Sequence, residues 1–393
     1  CKNTVSRILD VGNPWLDAGI VPYSTLHYLT DREYWEKWFT PDFITECFPG
    51  QFRNWFYCLL AMSTAMENKP PFKTVLGHAL VKDEHGKDMH KSEGNAIWFD
   101  DAAEELGVDV MRWMFALQKA EQNLNFGYGP AKEIRKRINT LWNAYSFFVT
   151  YAKIDNFELN KIQLKDEDYI ELDKWILSKL NKLLVIAEES YESYRIEQFM
   201  RPLDKFLDDL SNWYIRRNRR RFWKSENDAN KYAAYFTLYS VLTGLIKMLA
   251  PVVPFMTEKI YQNLVLNLDS FAPESIHLCD FPTVDEKLID SHLMESIDLV
   301  VKIVELGRYA RNQANIKIRQ PLSKLEYFVK DKQSADTITK YKNQILDELN
   351  LKEIVEVDSD TELLNYTVKP NFSSLGEKYG DDIKKIIELF NDL

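Results

Sequence analysis

The stretch of this chain best suited to chemistry is GKDMHKSEGN, Gly86 to Asn95. It follows an apolar run, KTVLGHALV, and precedes an amphipathic one. A loop between a strand and a helix can hold phosphate if it offers donors and positive charge. The candidates here are Lys87, Lys91, the Ser92 hydroxyl and the backbone N–H groups near Gly94. Lysine is a mobile point charge, suited to a phosphate that moves during a reaction. Asp88 has the wrong sign for that work, and on chemistry alone the stretch fits an ordinary surface turn as well. His78, in the preceding run, and His90, in the loop, could both face a nucleotide.

A second group is the basic run Arg216, Arg217, Arg219, Arg220, Arg221 and Lys224, with Trp213, Tyr214, Phe222 and Trp223 interleaved. On a helix these cations cover an arc of about 200°, since each residue turns about 100°. Aromatic residues among clustered cations suit a nucleic acid. The alternative is a solvated face in which Asp204, Asp208 and Asp209 pair with the nearest arginines. A third group is Asp17, placed after a strand, with Gln51 and Arg53 at a helix start; a helix cap and an ion pair would explain these equally. Neither the six histidines nor the four cysteines (Cys1, Cys47, Cys58, Cys279) have metal-ligand spacing, so no metal site is expected.

The elements that must hold these groups follow from periodicity. VSRILDVG and FKTVLGHALVKD read as strands. GQFRNWFYCLLAMSTAM and FDDAAEELGVDVMRWMFALQ read as helices, the second with acidic first turns that suit a helix dipole. Strand, helix, strand, loop, helix is the rhythm of a parallel-sheet domain. From Pro130 long helical patterns take over. Leu172, Trp175, Ile176, Leu180, Leu183 and Ala187 recur at helical spacing, and Pro202 is a start or a kink in the next helix. KYAAYFTLYSVLTGLIKMLA is apolar on most sides and should be central. Near the end, KLEYFVK, a polar helix and LKEIVEVD alternate as strand, helix, strand. The fold expected is mainly α with α/β parts, in three segments: 1–128, 129–285 and 286–393.

At 393 residues, 45% hydrophobic and 28% charged, the chain is long enough for two or three domains. Its net charge of -10 means that a polyanion must be met by a local basic face. The cysteines read as reduced, in a cytoplasmic setting. No run of about 18 apolar residues marks a membrane span.

Taken in order, several of these segments resemble the class I aminoacyl-tRNA synthetases of the isoleucine, leucine, valine and methionine group, nearest to the isoleucine-specific members of archaeal and eukaryotic type. LGHALVKDEHGKDMHKSEGN resembles the strand and KMSKS loop of that group. LWNAYSFFVTYA, LDKWILSKLNKL, DDLSNWYIRRNRRRFW and LAPVVPFMTEKIYQNL resemble its anticodon-binding bundle. LGRYARNQANIKIRQPLSKL and KPNFSSLGEKYG resemble the entry to, and a segment of, its C-terminal domain.

The resemblance implies the second half of a class I Rossmann catalytic domain, then a helical bundle, then part of an α/β tail. The HIGH motif and the editing domain are not in the chain, so it reads as a fragment, inactive alone. The reaction implied joins an amino acid, isoleucine by the closest likeness, to ATP with Mg2+ and then to tRNA, in a monomeric enzyme. Lys91 and Ser92 would be catalytic, with His78, Lys87, His90 and Lys91 at ATP. Asp17, Cys47 and Gln51 would hold the amino acid or adenylate, and the basic run would meet tRNA. The sequence departs from the family at Asp88 and His90, where KMSKS has its first lysine and first serine. It departs again at Cys47 and Gly50, where the family carries acidic residues. Those departures leave open specificity for valine or another aliphatic amino acid, or an RNA- or partner-binding protein with lost or altered aminoacylation.

Overall fold

The computed structural model describes residues 4–10, 12–159, 161, 163–359, 380–382 and 385. Cys1, Leu393 and all of KPNFSSLGEKYG but its final Gly380 lie outside them. The chain forms two compact units, Cys1–Ser291 and His292–Leu393.

In the first unit, described residues 4–10 belong to no helix or strand. The described residues of the expected strand VSRILDVG, 5–10 and 12, join no ladder, and Val5, Ile8 and Leu9 are exposed. Apolar alternation supplies a strand's side chains but not its partner. Helix α1 (Pro14–Ser24) follows, capped by the Asn13 side chain, which accepts from the N–H groups of Trp15 and Leu16. Then come α2 (Arg32–Trp38), β1 (Phe43–Cys47), α3 (Phe48–Gln51) and α4 (Trp55–Glu67). Gly19 lets α1 approach α4 closely: a Cβ there would lie 2.9 Å from the Cys58 carbonyl oxygen. Tyr23, Tyr28 and Trp35 form an aromatic cluster beside them. The Arg32 guanidinium lies 4.3 Å from the Trp35 ring and pairs with Glu67 at 2.8 Å.

The run FKTVLGHALVKD is two strands, not one. β2 (Thr74–His78) pairs in parallel with β1, and β3 (Val81–Asp83) pairs in parallel with a later strand. Ala79 and Leu80 join them, using the Ala120 carbonyl and the Asn123 side chain instead of either ladder. The second expected helix is also divided, into α5 (Phe99–Leu106) and α6 (Val108–Leu117). Gly107 between them has φ of 86°, a conformation that ends a helix and favours glycine. β4 (Leu124–Phe126) is the partner of β3. Neither β1 nor β4 stood out in the sequence, since five and three residues are too few to show a period.

The bundle comprises α7 (Tyr128–Ile154), α8 (Glu171–Glu192), α9 (Ile196–Asp208), α10 (Arg216–Trp223), α11 (Ala229–Leu249) and α12 (Pro254–Leu264). Pro202 lies inside α9 rather than at its start. A π-helical stretch, Asp209–Ile215, joins α9 to α10, so the chain runs helically from Ile196 to Trp223. The periodic residues expected on α8 are buried as a set: Leu172, Trp175, Ile176, Leu180, Leu183 and Ala187. Helix α11 is long and apolar enough to cross a membrane by composition, but 72% of its most apolar window is buried inside the protein. Tyr232, Tyr235 and its leucines, from Leu238 to Leu249, fill the bundle core.

The second unit contains α13 (Ser291–Gln313), β5 (Leu322–Tyr327), α14 (Lys332–Lys340), α15 (Lys342–Leu349) and β6 (Leu351–Glu356). The expected strand, helix, strand is present, with its helix in two pieces. β5 and β6 are parallel, with Leu325 opposite Ile354. The buried Arg311 guanidinium donates to the carbonyls of Gln320, Leu349 and Asn350, tying α13 to both strand starts.

Candidate functional site

The loop after β3 is built around a buried carboxylate. Asp83 ends the strand, and its Oδ1 accepts from the N–H groups of His85 at 3.0 Å and Lys87 at 2.8 Å. Its Oδ2 accepts from the Asn95 amide at 2.9 Å. These donors, the Asn95 amide first, hold the Asp83 carboxyl below the usual carboxylate range. Asn95 closes the far end of the loop. Its amide also donates to the Asp88 carbonyl, and its oxygen accepts from the His90 N–H, each at 2.9 Å. Glu84 reaches the start of α7, where its Oε2 accepts from Gly129 N–H at 2.9 Å. That carboxylate suits the positive end of the helix.

On this frame Lys87, His90, Lys91 and Ser92 are all exposed, so the structure gathers four of the expected residues on one loop. Lys91 and Ser92 lie in a single helical turn, Lys91–Glu93, closed by Gly94 at φ of 71°. The Lys91 ammonium rests 4.4 Å from the centre of the Trp98 ring. Asp88 is paired: its Oδ1 lies 3.0 Å from the Lys82 ammonium, and the two residues form an isolated antiparallel bridge.

Cys47 and His78 are register partners at the carboxyl ends of β1 and β2. Ligands of parallel-sheet domains bind at such ends. The His78 ring shares a 2.9 Å hydrogen bond with the Ala79 carbonyl and lines a cavity of about 280 Å³ with Leu76, Gln118 and Glu197. No loop residue lines that cavity, so the structure does not bring His78 onto Lys91. Gln51 is one turn beyond Cys47, and its side chain accepts from Trp55 N–H at 3.3 Å, at the start of α4. Asp17 is exposed in the first turn of α1, and the strand expected before it is not formed. Among the described residues, no group of three or more His, Cys, Asp or Glu side chains could hold a metal ion.

The basic run splits into two faces. Arg219 and Arg220 are exposed, and Trp223 is 56% exposed one turn on. Arg216 is half-buried, its Nε donating to the Asn212 carbonyl. The inward face is a network. Arg221 makes two hydrogen bonds to the fully buried Asp173, of 2.8 and 2.9 Å, and further bonds to Asn218 and Asn230. The Tyr214 hydroxyl donates to the same Asp173 at 2.7 Å, and burial pushes that phenol well above its ordinary range. Arg221 is therefore a structural cation, a correction to its expected place among the RNA contacts. Arg217 lies 5.2 Å from the Trp213 ring, and Lys224 pairs with Asp228. Asp204 and Asp208 pair with Arg137 of α7, and Asp209 pairs with Lys179 of α8 and with Lys205, one turn earlier in its own helix.

Sequence reasoning missed Asp83, Asn95, Lys82 and Trp98, which shape the loop. Their only signal was position, at the end of a strand and just past a glycine.

The comparisons match this arrangement. Residues 1–127 match the family described as tRNA synthetases class I (I, L, M and V), and residues 173–326 match the anticodon-binding domain of tRNA ligase. The chain is 44% identical to an isoleucine--tRNA ligase of Clostridium novyi (strain NT), over 98% of this chain and 37% of that protein. It is 38% identical to the isoleucine--tRNA ligase of Thermus thermophilus, over 99% of this chain and again 37% of the relative. The chain thus spans little more than a third of the length of these relatives. Among solved structures, LeuRS from Agrobacterium radiobacter K84, in a ternary complex with tRNA, shares the fold with a TM-score of 0.52. That match covers 69% of this chain and 33% of the other, at 15% identity. Two domain matches in family order, and relatives alike from end to end of this sequence, place the chain among the class I tRNA synthetases of the isoleucine, leucine, methionine and valine group.

Proposed function

We propose that the chain is part of an isoleucine–tRNA ligase, a cytoplasmic enzyme that activates isoleucine with ATP and Mg2+ and transfers it to tRNA. The observation that carries this reading is the 44% identity, over 98% of the chain, to a protein of that name. In this reading Lys91 and Ser92 meet the ATP phosphates, and Lys87 and His90 flank them. Lys91 stabilises charge that develops as pyrophosphate leaves, a positional and electrostatic role. Cys47, Gln51 and Asp17 lie toward the amino-acid end, and Arg216, Arg219 and Arg220 face tRNA.

The test is ATP–pyrophosphate exchange by the longer protein, with isoleucine and valine compared. Lys91→Ala is expected to slow exchange by about 10²–10³, the loss typical of one donor at a developing charge. Unchanged exchange would remove Lys91 from the mechanism. A second reading is favoured by Asp88 and His90: a synthetase-like protein that binds RNA without aminoacylation. It predicts tRNA binding with no exchange for any aliphatic amino acid.

A further inference from the structure

The synthetase reading leaves Asp88 as an anion where the family's loop has a lysine. The structure gives that carboxylate a partner. Its Oδ1 is 3.0 Å from the Lys82 ammonium, whose side chain is only 22% exposed, at the root of the loop on β3. The same two residues form the single antiparallel bridge across the loop base. Two bonds next to it complete the closure: Asp83 N–H donates to the Lys87 carbonyl, and the Asn95 amide donates to the Asp88 carbonyl, each at 2.9 Å. The loop is therefore shut on its own strand by residues 82, 83, 88 and 95, while Lys91 lies beyond the closure over Trp98. A lysine at 88 would replace this attraction with a like charge beside Lys82 and weaken the base by repulsion.

We propose that Asp88 is a positioning residue: paired with Lys82, it clamps the root of the loop so that Lys91 reaches the ATP phosphates from a fixed base, with no cation at 88. The inference rests on the enzyme reading for its substrate, but the clamp itself is a property of the fold. A pair with one exposed partner contributes modestly, which suits a clamp that must not freeze a working loop.

The experiment is a charge-swap cycle in the full-length protein: Asp88→Lys, Lys82→Asp and the double variant. Two readouts are taken, ATP–pyrophosphate exchange and hydrogen exchange of the segment 84–95 followed by mass spectrometry. Each single variant is expected to lower kcat/KM for ATP about two- to fivefold, the range of one such pair. Each should also speed amide exchange of the segment, and the double variant should recover both. Asp88→Lys with unchanged or raised kcat/KM, or a double variant no better than the singles, overturns the clamp. If the unaltered protein shows no exchange with any aliphatic amino acid, the enzyme reading fails instead. Amide exchange then decides the clamp alone: faster in Asp88→Lys and restored in the double supports it, and no change overturns it.

Discussion

At the level of single residues, the arginine run shows how one composition serves two purposes. Arg221 and Asp173 are both withdrawn from water, and each satisfies the other with two hydrogen bonds. Removing one member leaves a buried charge without its counterion. Arg221→Ala should therefore cost about 3–5 kcal/mol of stability, measured by urea unfolding, whereas Arg219→Ala should cost almost nothing. A second residue-scale prediction concerns acid. The Arg32 guanidinium, aided by the Tyr28 hydroxyl, holds the Glu67 carboxyl down at about 2. A depressed carboxyl contributes stability that is complete above its unfolded value, near 4.5, and is lost as pH falls toward 2. Near-ultraviolet circular dichroism of the Tyr28 and Trp35 cluster should change across that window, and Glu67→Gln should lack the step. The sequence announced the arginines but not this division. Which face of a helix turns inward depends on Asp173, which is 43 or more residues away along the chain from every arginine of the run.

At the level of elements, the long helices were legible because each carries several turns of one pattern. The apolar residues of α8 and α11 went where their spacing placed them. The short strands were not, because a parallel ladder is made by residues remote in sequence: β1 meets β2 across α3 and α4, and β3 meets β4 across α5 and α6. Breaks were missed for the same reason that glycine is ambiguous in sequence. Gly107 could have been a weak helix residue, and it is a helix break at φ of 86°. Gly107→Ala should then destabilise the protein by about 1 kcal/mol or more, against the small gain expected if the residue were helical. Thermal unfolding of the variant distinguishes the two signs. The π-helical stretch before α10 was likewise invisible, although it sets which arginines face outward.

At the level of the whole molecule, an acidic chain is expected to hold a polyanion through one small face. If Arg219 and Arg220 each neutralise a phosphate, their joint replacement by alanine should reduce the slope of log K against log salt by about 2. Binding of tRNA measured across a salt series checks this, and an unchanged slope would move the contact elsewhere. Helix α6 and the bundle also share a joint. Asp109 and Arg112, on α6, reach the turn before and into α12. Asp109 accepts from Met256 N–H at 2.8 Å, and burial pushes its carboxyl up despite that bond. Arg112 donates to the carbonyls of Pro251 and Val252. One helix thus satisfies donors on one side of the turn and acceptors on the other, and neither side can leave without exposing them. The consequence is cooperativity: the segments on either side of Tyr128 should melt together, in one calorimetric transition. Asp109→Ala combined with Arg112→Ala should separate that transition into two.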